Sequence, residues 1–274
     1  MIDLHAKPIA ITGASSGIGR ATASACAQAG MYVAVMARRR DMLDELVDEI
    51  RGEGGRAIAF AGSVDDPDAC ARFIEASERE LGPTHAVFAN AGFGSYKTVL
   101  ASSEAELRRM FEVNFWGSLN VINPALPGML ERGRGHVLMC SSCLSKLGVP
   151  FHAAYCATKA CQDMFGRAMR HELSPRGVHV STVHPIGTRT DFRDTARAHS
   201  GSTPAMDEQT QGPFVQPAET VADAVVRCLR QPRGEVWTSL SVRLAMAVAL
   251  ACPGLADWGL GRMARKKFER GDVQ

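Results

Sequence analysis

Residues 8–27 read PIAITGASSGIGRATASACA. The first five residues predict a short buried strand, and the last eight predict a helix. Between these segments, Gly13, Gly17 and Gly19 permit a tight turn and let the backbone approach a ligand closely. The start of the following helix offers free N–H groups and a positive dipole end to an anion. The stretch therefore predicts a strand, a turn and a helix that together hold a pyrophosphate.

Apolar runs and amphipathic segments alternate along the rest of the chain. Strands are predicted near residues 8–12, 32–37, 56–61, 85–89, 135–141, 178–184 and 234–238. Helices are predicted near residues 17–29, 40–52, 67–81, 103–131, 153–173 and 219–230. Largely continuous apolar strands suit a parallel sheet that is buried on both faces. The alternation predicts an α/β fold, a Rossmann-like doubly wound parallel sheet of about seven strands with helices on both faces.

The length of 274 residues is within the range of a single doubly wound sheet. Residues 1–240 are predicted to form one dinucleotide-binding and catalytic domain, because no linker divides them. Residues 241–274 are predicted to be a C-terminal helical extension, either packed on that domain or amphipathic. Ligands are expected at the carboxyl ends of the strands.

Composition limits the classes of function. The net charge is +2 at pH 7, so charge gives no reason to expect nucleic acid as a partner. No apolar run follows the charged start, and we therefore expect no secretory signal. The eight cysteines are then interpreted as free thiols in a reducing compartment, which predicts a cytoplasmic location.

Tyr155 and Lys159 stand four residues apart in a predicted helix, so their side chains share one face. A free tyrosine has a pKa of about 10 and exchanges protons poorly at neutral pH. A nearby lysine cation favours the phenolate and lowers that pKa. The pair is a candidate proton-transfer device if a cofactor site lies in the same chain, and otherwise an ordinary solvated helix edge.

Motifs that resemble those of the short-chain dehydrogenase/reductase family extend from about Pro8 to about Glu235. They are Gly13-x-x-x-Gly17-Ile18-Gly19, Asn90-Ala91-Gly92, Asn114, Ser142, Tyr155 and Lys159. Ser142 precedes Tyr155 by the thirteen positions that the family uses. The resemblance implies hydride transfer between a nicotinamide and a carbonyl or alcohol carbon, with the protein supplying orientation and protons.

The resemblance also implies a role for individual residues. Tyr155 would be the general acid or base, and Lys159 would stabilise the phenolate and bind the nicotinamide ribose. Ser142 would polarise the substrate oxygen. Asn114 would hold a water that links Lys159 to solvent. Cofactor contacts are expected from Gly13, Ser15, Ser16, Gly17, Ile18, Gly19, Arg38, Arg39, Val64, Asn90, Ala91, Gly92, Tyr155, Lys159, Pro185, Thr188 and Thr190.

The end of the second predicted strand indicates the preferred cofactor. Members of the family that use NAD have an aspartate, which bonds the ribose hydroxyl, where this chain has Ala37. Arg38 follows and could fork around a 2′-phosphate, with hydroxyl donors from Ser15 and Ser16. We therefore predict NADP(H) in preference to NAD(H). The alternative is that these arginines only begin a solvated helix, above all residues 39 and 40.

Two positions depart from the family pattern. Ser63 stands where an aspartate commonly contacts the adenine, and Val64 is still expected to contact the ring through its backbone. Ile186 stands where a glycine is usual, in the stretch His184-Pro185-Ile186-Gly187-Thr188-Arg189-Thr190. Thr188 and Thr190 remain positioned to hold the nicotinamide carboxamide.

Cysteines and histidines give weaker signals. Cys140 and Cys143 form a C-x-x-C pair that could suggest zinc or a redox disulfide. Small buried thiols explain the pair better, because it straddles Ser142 at a strand end. No metal site is predicted. His152 and His184 are interpreted as polar residues at a loop or strand end, with His152 near the substrate mouth.

Substrate specificity is expected from the variable segments. Residues 191–216 are polar and irregular and are predicted to form a lid over the substrate. An apolar cleft lining is expected from Phe93, Leu144, Val149, Phe151, Phe192, Met206 and Phe214. This lining favours a hydrophobic alcohol, ketone or aldehyde, although the same residues could simply be core.

The C-terminal segment is unusual in composition. The uncharged run at 244–252 is too short to span a membrane. Beyond it, apolar residues interleave with basic ones, which predicts an amphipathic helix suited to an anionic membrane surface. The alternative is a helix packed on the domain, across a dimer or over the substrate cleft.

Three classes of function remain open. An NADP(H)-dependent oxidoreductase is favoured, because catalytic and cofactor elements coincide in one chain. The alternative is a catalytically silent protein of the same fold that binds or regulates. A membrane-associated scaffold rests on the C-terminal segment alone. The expected partners are a small carbonyl or alcohol substrate, no nucleic acid, a peripheral membrane contact and, as the family resemblance implies, further copies of the chain in a homo-oligomer.

Overall fold

The computed structural model describes residues 1–190 and 215–270, and its centre is a parallel sheet. The main strands are β1 Pro8–Thr12, β2 Tyr32–Ala37, β3 Arg56–Ala61, β4 Ala86–Ala89, β5 Gly135–Cys140, β6 Val178–His184 and β9 Glu235–Trp237. Two short strands, β7 Gly187–Thr188 and β8 Val215–Gln216, pair with each other. The seven main strands lie in the order β3-β2-β1-β4-β5-β6-β9, and every neighbouring pair is parallel.

Helices cover both faces of this sheet. They are α1 Gly17–Gln28, α2 Arg40–Gly52, α3 Pro67–Leu81, α4 Glu104–Phe111, α5 Gly117–Glu131, α6 Ala153–Leu173, α7 Ala218–Arg230, α8 Leu240–Ala251 and α9 Pro253–Glu269. Buried side chains of α1, α2 and α7 share one core with the sheet, and those of α3, α5 and α6 share the other. The predicted doubly wound α/β fold is confirmed.

Local sequence explains where these elements lie. All five residues of β1 and all six of β5 are buried, as continuous apolar strands of a covered parallel sheet should be. Helix α2 buries Leu43, Leu46, Val47 and Ile50, which follow the spacing of one helical face. Helix α3 begins where the Asp66 side chain accepts a hydrogen bond from the backbone of Ala69 at 3.0 Å.

The strand order creates the crevice that holds the site. The chain proceeds outward from β1 to β2 and β3, and then returns to place β4 on the other side of β1. Loops that follow β1 and β4 therefore diverge at the carboxyl edge of the sheet, and the space between them is open to a ligand. Asn90 joins the two loops at their base, because its side-chain amide donates to the carbonyl of Thr12 at 3.0 Å.

The single helix predicted over 103–131 is interrupted. A π-helical turn at Glu112–Trp116 separates α4 from α5. The wide turn contains Asn114, whose side chain is bonded to Phe93 and Thr158 in other parts of the fold. These tertiary hydrogen bonds stabilise the π-helical turn, which the spacing of apolar residues in the sequence cannot predict. π-helical turns occur often at functional sites.

Helices α8 and α9 form a bent pair at the C-terminal end of the described chain. Their axes differ by 109° across the break at Cys252. Neither helix alone is long and apolar enough to cross a membrane, and among the described residues this bent pair is the one combination that meets the length and composition test. Helix α8 contacts the turn at Cys143–Lys146, which follows β5.

Candidate active site

The glycine turn between β1 and α1 is shaped for close approach. Gly17 has φ +57°, a left-handed conformation that side chains disfavour. A Cβ on Gly19 would lie 2.3 Å from the carbonyl oxygen of Gly13, so only glycine fits there. Ser16 precedes the helix in extended conformation and makes no side-chain cap bond. The first turn of α1 therefore keeps backbone donors for an anion.

One cavity of about 1190 Å³ begins at this turn and crosses the carboxyl edge of the sheet. At one end it meets the side chains that follow β2 and β3, and at the other it meets the residues that follow β5 and β6. A dinucleotide fits this shape, because the cavity joins the glycine turn to polar side chains at both ends. Of the predicted site residues, the cavity is lined by Gly13, Ser15, Ser16, Gly17, Ile18, Arg38, Arg39, Val64, Asn90, Ala91, Gly92, Ser142, Tyr155, Lys159, Pro185, Thr188 and Thr190.

Two predicted site residues do not line the cavity. Gly19 lies beneath the turn, packed against Gly13 and Asn90. Asn114 is fully buried behind Gly92, where it exchanges two 2.9 Å hydrogen bonds with the backbone of Phe93. Both residues support the cavity wall from behind.

Ser142, Tyr155 and Lys159 meet at the inner end of the cavity. Ser142 follows β5 directly, while the other two residues occupy successive turns of α6. Both side chains line the cavity, and the Ser142 hydroxyl lies close enough to Tyr155 to favour its phenolate. The Lys159 ammonium lies 5.7 Å from the centre of the Tyr155 ring. The spacing in the sequence therefore correctly predicts that the three side chains share one site.

Acidity in this site differs from the expectation. Burial raises the pKa of Tyr155 above its ordinary value, and the hydrogen bond with Ser142 opposes this only in part. Burial also lowers the pKa of Lys159, which weakens it as a cation. In the protein by itself the pKa of Tyr155 is therefore raised and not lowered as predicted, because burial disfavours the phenolate.

Gln162 connects Lys159 to Asn114. The Lys159 ammonium donates to the side-chain oxygen of Gln162 at 2.8 Å and to the carbonyl of Cys140 at 2.7 Å. The amide nitrogen of Gln162 in turn donates to the carbonyl of Asn114 at 2.7 Å. This link was not anticipated, although Gln162 follows Lys159 by one helical turn and the spacing could have revealed it. The water expected at Asn114 stays a prediction.

Basic side chains line the end of the cavity near β2. The Arg39 guanidinium donates to the hydroxyls of Ser15 at 3.0 Å and Ser16 at 2.9 Å. Arg38 is exposed and also lines the cavity. Arg40 instead pairs with Asp44 on α2 at 2.7 Å, as the alternative of a solvated helix start requires.

Ser63, which stands where the family commonly has an aspartate, belongs to a hydrogen-bond network with Asp65 and Arg109. The Ser63 hydroxyl donates to Asp65, and Asp65 accepts a further bond from Arg109, which also lines the cavity. Burial opposes ionisation of Asp65, but these hydrogen bonds lower its pKa overall. Arg109 was not predicted as a site residue, because it comes from α4, far away in the sequence.

The turn after β6 closes the other end. Its backbone is tied to the loop of Ser142, because Cys143 N–H donates to the carbonyl of Pro185 at 3.0 Å. The Thr188 hydroxyl donates to the carbonyl of Ile186 at 2.8 Å. Ile186 lines the cavity, and Thr190 lies against the glycine turn, 2.8 Å from where a Cβ of Gly17 would be.

The predicted apolar lining is confirmed in part. Phe93 and Leu144 line the cavity, but Val149 and Phe151 do not. Phe151 is buried against the rings of Tyr96 and Phe268, at 5.4 and 5.5 Å. The apolar wall comes instead from α8, which contributes Val242, Ala245 and Met246. Phe192, Met206, Phe214 and most of the predicted lid lie outside the described residues.

Comparison with known proteins identifies the family. The sequence model of the short chain dehydrogenase family matches residues 7–201, more than two thirds of the chain. This protein is a short-chain dehydrogenase/reductase. It is accordingly an oxidoreductase that acts on an alcohol or carbonyl group with a nicotinamide cofactor.

Three curated relatives of this dehydrogenase are named as different kinds of enzyme. A short chain dehydrogenase of Pseudocercospora fijiensis is 31% identical, over 97% of this chain and 88% of that protein. A fatty acyl-CoA reductase of Mycobacterium tuberculosis is 31% identical, over 94% and 82%. Glycine betaine reductase ATRR of Emericella nidulans is 34% identical over 84% of this chain, but the match spans only 18% of that protein.

Solved structures support the fold. A short-chain dehydrogenase/reductase of Burkholderia phymatum in complex with NAD superposes with a TM-score of 0.85, at 23% identity over 93% of this chain and 97% of that one. An alcohol dehydrogenase of the archaeon Thermococcus sibiricus, complexed with 5-hydroxy-NADP, has a TM-score of 0.74 and 28% identity, over 84% and 95%.

A buried charged cluster supports the active site of the dehydrogenase from behind. Lys146 donates to Asp163 at 2.6 Å and to Glu235 at 3.0 Å. His184, which was interpreted as an isolated polar residue at a strand end, is fully buried beside Asp163. Its Nδ1 lies 3.1 Å from the carbonyl oxygen of Ser142, so its N–H can donate to that oxygen. The cluster thereby fixes the backbone of Ser142.

The same cluster is the one group in the described chain with the spacing of metal ligands. Ligand atoms of Asp163, His184 and Glu235 lie within 4.8 Å of one another. The Lys146 ammonium already bridges both carboxylates, so it supplies the positive charge that a metal would bring. Burial opposes ionisation of Glu235, but its bonds to Trp237 and Lys146 lower its pKa to about 2. All eight cysteines lie elsewhere in the described chain as free thiols.

Proposed function

We propose that this protein is an NADP(H)-dependent oxidoreductase that transfers a hydride between the nicotinamide and a hydrophobic carbonyl or alcohol substrate. The observation that carries the proposal is the meeting of Ser142, Tyr155 and Lys159 in the cavity that starts at the glycine turn. When bound, the cofactor supplies or accepts the hydride. The residues of the protein then have to orient the substrate oxygen and move one proton.

Tyr155 is the proposed general acid and base. In reduction its hydroxyl donates a proton to the substrate oxygen, and in oxidation the phenolate accepts one. Ser142, which lines the same cavity, donates to the same substrate oxygen and stabilises the charge that develops there. Both side chains line the cavity in which the substrate would bind.

Lys159 is proposed to make Tyr155 acidic only when the site is filled. In the protein alone its ammonium is directed to Cys140 and Gln162. Ribose hydroxyls of a bound cofactor, and the positive ring of its oxidised form, would favour the phenolate. Asn114 holds this lysine in place through Gln162, and the water predicted at Asn114 would extend the same path to solvent.

The preference for NADP(H) is proposed from charge at the β2 end of the cavity. Ala37 offers no carboxylate to a ribose hydroxyl, whereas Arg38 and Arg39 both line the cavity. Guanidinium groups bind phosphate through paired hydrogen bonds. The 28% identical alcohol dehydrogenase of Thermococcus sibiricus is complexed with an NADP derivative, which agrees with this choice.

A hydrophobic substrate is proposed from the wall of the cavity. Leu144, Ile186, Val242 and Met246 give one side of the mouth an apolar surface. The relative in Mycobacterium tuberculosis is named a fatty acyl-CoA reductase, so an extended apolar chain is a reasonable substrate class. Cytoplasmic location and assembly into a homo-oligomer stay predictions.

Cofactor titration and a substrate panel test the proposal. Protein fluorescence titrated with NADPH and NADH should give the lower dissociation constant for NADPH, and Arg38→Ala with Arg39→Ala should remove that difference.

Tyr155→Phe should lower turnover of medium-chain aldehydes and ketones by about 10²–10⁴-fold at unchanged NADPH affinity. Tyr32→Phe, at the start of β2, is the matched control. Full turnover by Tyr155→Phe would disprove the catalytic assignment, and tighter NADH binding would disprove the cofactor assignment.

A further inference from the structure

The C-terminal helix pair, α8 with α9, carries an unusual share of exposed apolar side chains. Single exposed apolar residues are normal on protein surfaces, but a contiguous group indicates a binding surface. Seven of the thirteen large exposed apolar residues in the described chain belong to this pair. They are Leu240, Leu244, Val248, Leu250, Leu255, Trp258 and Phe268.

Helix α8 is apolar on two opposite faces. Val242 and Met246 face the cavity, so one face is already occupied by the active site. Leu240, Leu244 and Val248 recur every four residues on the other face. Leu244 is 59% exposed and Val248 is 56% exposed, so more than half of each residue stays uncovered by the part of the chain that the structure describes. A helix with apolar residues on opposite faces is normally covered on both of them. The outer face of α8 is therefore expected to bind a partner.

The net charge of the helix pair indicates what kind of surface its outer face binds. Between residues 240 and 270 the chain has six basic and two acidic side chains, although its net charge is only +2 in total. The rest of the chain is therefore net negative, and the helix pair stands out as a basic region. A second copy of the same surface would bring positive charge against positive charge, which opposes a symmetric dimer. An anionic surface fits the charge and the apolar side chains together.

The order of residues along α9 matches an interface between lipid and water. Leu255 and Trp258 are exposed in its first half, and the basic residues follow in its second half. The Arg262 guanidinium lies 5.9 Å from the centre of the Trp258 ring, so an apolar side chain and a cation are already paired. Tryptophan and long basic side chains are the residues that sit at the headgroup level of a bilayer.

We propose that the C-terminal helix pair docks on an anionic lipid surface. Leu244, Val248, Leu255 and Trp258 enter the leaflet that faces the protein, while the basic residues of α9 contact the headgroups. The pair lies on the surface and does not cross the bilayer, because neither helix is long and apolar enough to do so.

This docking would connect the lipid to the active site. The inner face of α8 lines the cavity, and the far end of α9 contacts the cavity wall, where Lys267 lies 5.6 Å from the ring of the buried Tyr96. A docked membrane would therefore lie against helices that also form part of the cavity wall. Given the proposed function, an apolar substrate dissolved in the lipid could then enter without passing through water.

Vesicle sedimentation tests the docking directly and needs no enzyme activity. The full chain is mixed with phosphatidylcholine vesicles that contain either no phosphatidylserine or about one third of it. We expect at least tenfold stronger partitioning to the anionic vesicles, and loss of this preference at about 1 M salt, where charges are screened.

Two triple variants separate the apolar and ionic contributions. Leu244→Gln, Val248→Gln and Trp258→Gln together should abolish binding to both kinds of vesicle. Arg262→Gln, Arg265→Gln and Lys266→Gln together should remove the preference for phosphatidylserine, since each basic residue near an anionic surface contributes roughly fivefold. Matched controls are Val99→Gln with Leu100→Gln, which are exposed apolar residues elsewhere, and Arg79→Gln, Arg167→Gln and Arg227→Gln. Both controls should bind as the unmodified chain does.

Several outcomes would overturn the proposal. They are absence of binding by the unmodified chain, equal binding by all variants, and unchanged vesicle binding by an apolar variant that sediments as a smaller assembly in solution. The last outcome would assign the surface to subunit contact. Circular dichroism melting confirms that each variant is folded. Failure of every carbonyl substrate would reject the proposed function and leave the vesicle result as it stands.

Discussion

The ammonium of Lys159 has two hydrogen-bond acceptors in the described chain, the Cys140 carbonyl and the Gln162 side chain. Burial lowers the pKa of this lysine, so each acceptor that stabilises the charged form counts. Gln162 is fully buried, and its amide nitrogen is held by Asn114 and Ser118 at 2.7 Å each. Its oxygen therefore cannot turn away from Lys159 without leaving buried donors unpaired.

Gln162 variants should shift the pH dependence of turnover in opposite directions. Gln162→Leu removes the acceptor, so the pKa of Lys159 should fall further and the alkaline limb of the kcat profile should move to lower pH. Gln162→Glu adds a negative charge, so the same limb should move to higher pH. The measurement is kcat between about pH 6 and 10 with saturating cofactor. Gln28→Leu, at the exposed end of α1, serves as the control. Shifts of the same sign in both variants would contradict this role.

Single residues show how far the sequence alone could go. Tyr155, Lys159 and Ser142 were identifiable because helix spacing and the family pattern specify them. The pKa direction of Tyr155 was not, because it depends on how much water the folded wall excludes, and a sequence does not show this. Gln162 lay within reach of the same spacing argument, since it shares a helix face with Lys159.

The elements around the active site are held together by the buried cluster of Lys146, Asp163, His184 and Glu235. Each member comes from a different segment: the turn after β5, then α6, β6 and β9. The Lys146 side chain is 8% exposed and that of Asp163 is fully buried. A buried charge that loses its partner is costly, so removal of one member should disturb all four segments.

A double-mutant cycle tests this coupling. Lys146→Met leaves Asp163 buried without its cation and should lower the free energy of unfolding by about 3–5 kcal/mol. Asp163→Leu removes the corresponding anion. Combining the two should cost less than the sum of the single variants, by about 1–3 kcal/mol. The measurement is urea unfolding followed by circular dichroism. Strict additivity would show that the two charges are independent.

The boundaries of most helices and strands followed from the sequence, while the links between them did not. Periodicity predicted α2, α3 and α6 with the bounds that the structure has, because each helix turns one apolar face toward one of the two cores. The π-helical turn at Glu112–Trp116 could not be predicted from periodicity, because it depends on hydrogen bonds from Asn114 to distant segments. The charged cluster could not be predicted either, because its members are distant in the sequence: Lys146 and Glu235 are 89 positions apart.

The sheet as a unit also buries histidines that are unrelated to the site. His136 in β5 is fully buried, and its Nε2 is hydrogen-bonded to Ser181 at 2.8 Å. Burial, with smaller effects from His179 and His85, lowers the pKa of His136 from 6.5 to about 3. His85, next to it, has its pKa lowered to about 4 for the same main reason. Both side chains stay neutral in the folded protein at pH values where an unfolded chain would protonate them.

This arrangement predicts loss of stability in mild acid. Below pH 6.5 the unfolded chain binds more protons at His136 and His85, so the free energy of unfolding falls as pH falls toward 4. His136 alone should account for roughly 2 kcal/mol of that loss at about pH 5. His136→Gln should therefore show a smaller drop in urea midpoint between about pH 7.5 and 5 than the unmodified chain. His171→Gln, on the exposed face of α6, should keep the full drop. An equal drop in all three proteins would mean that acid unfolding begins elsewhere.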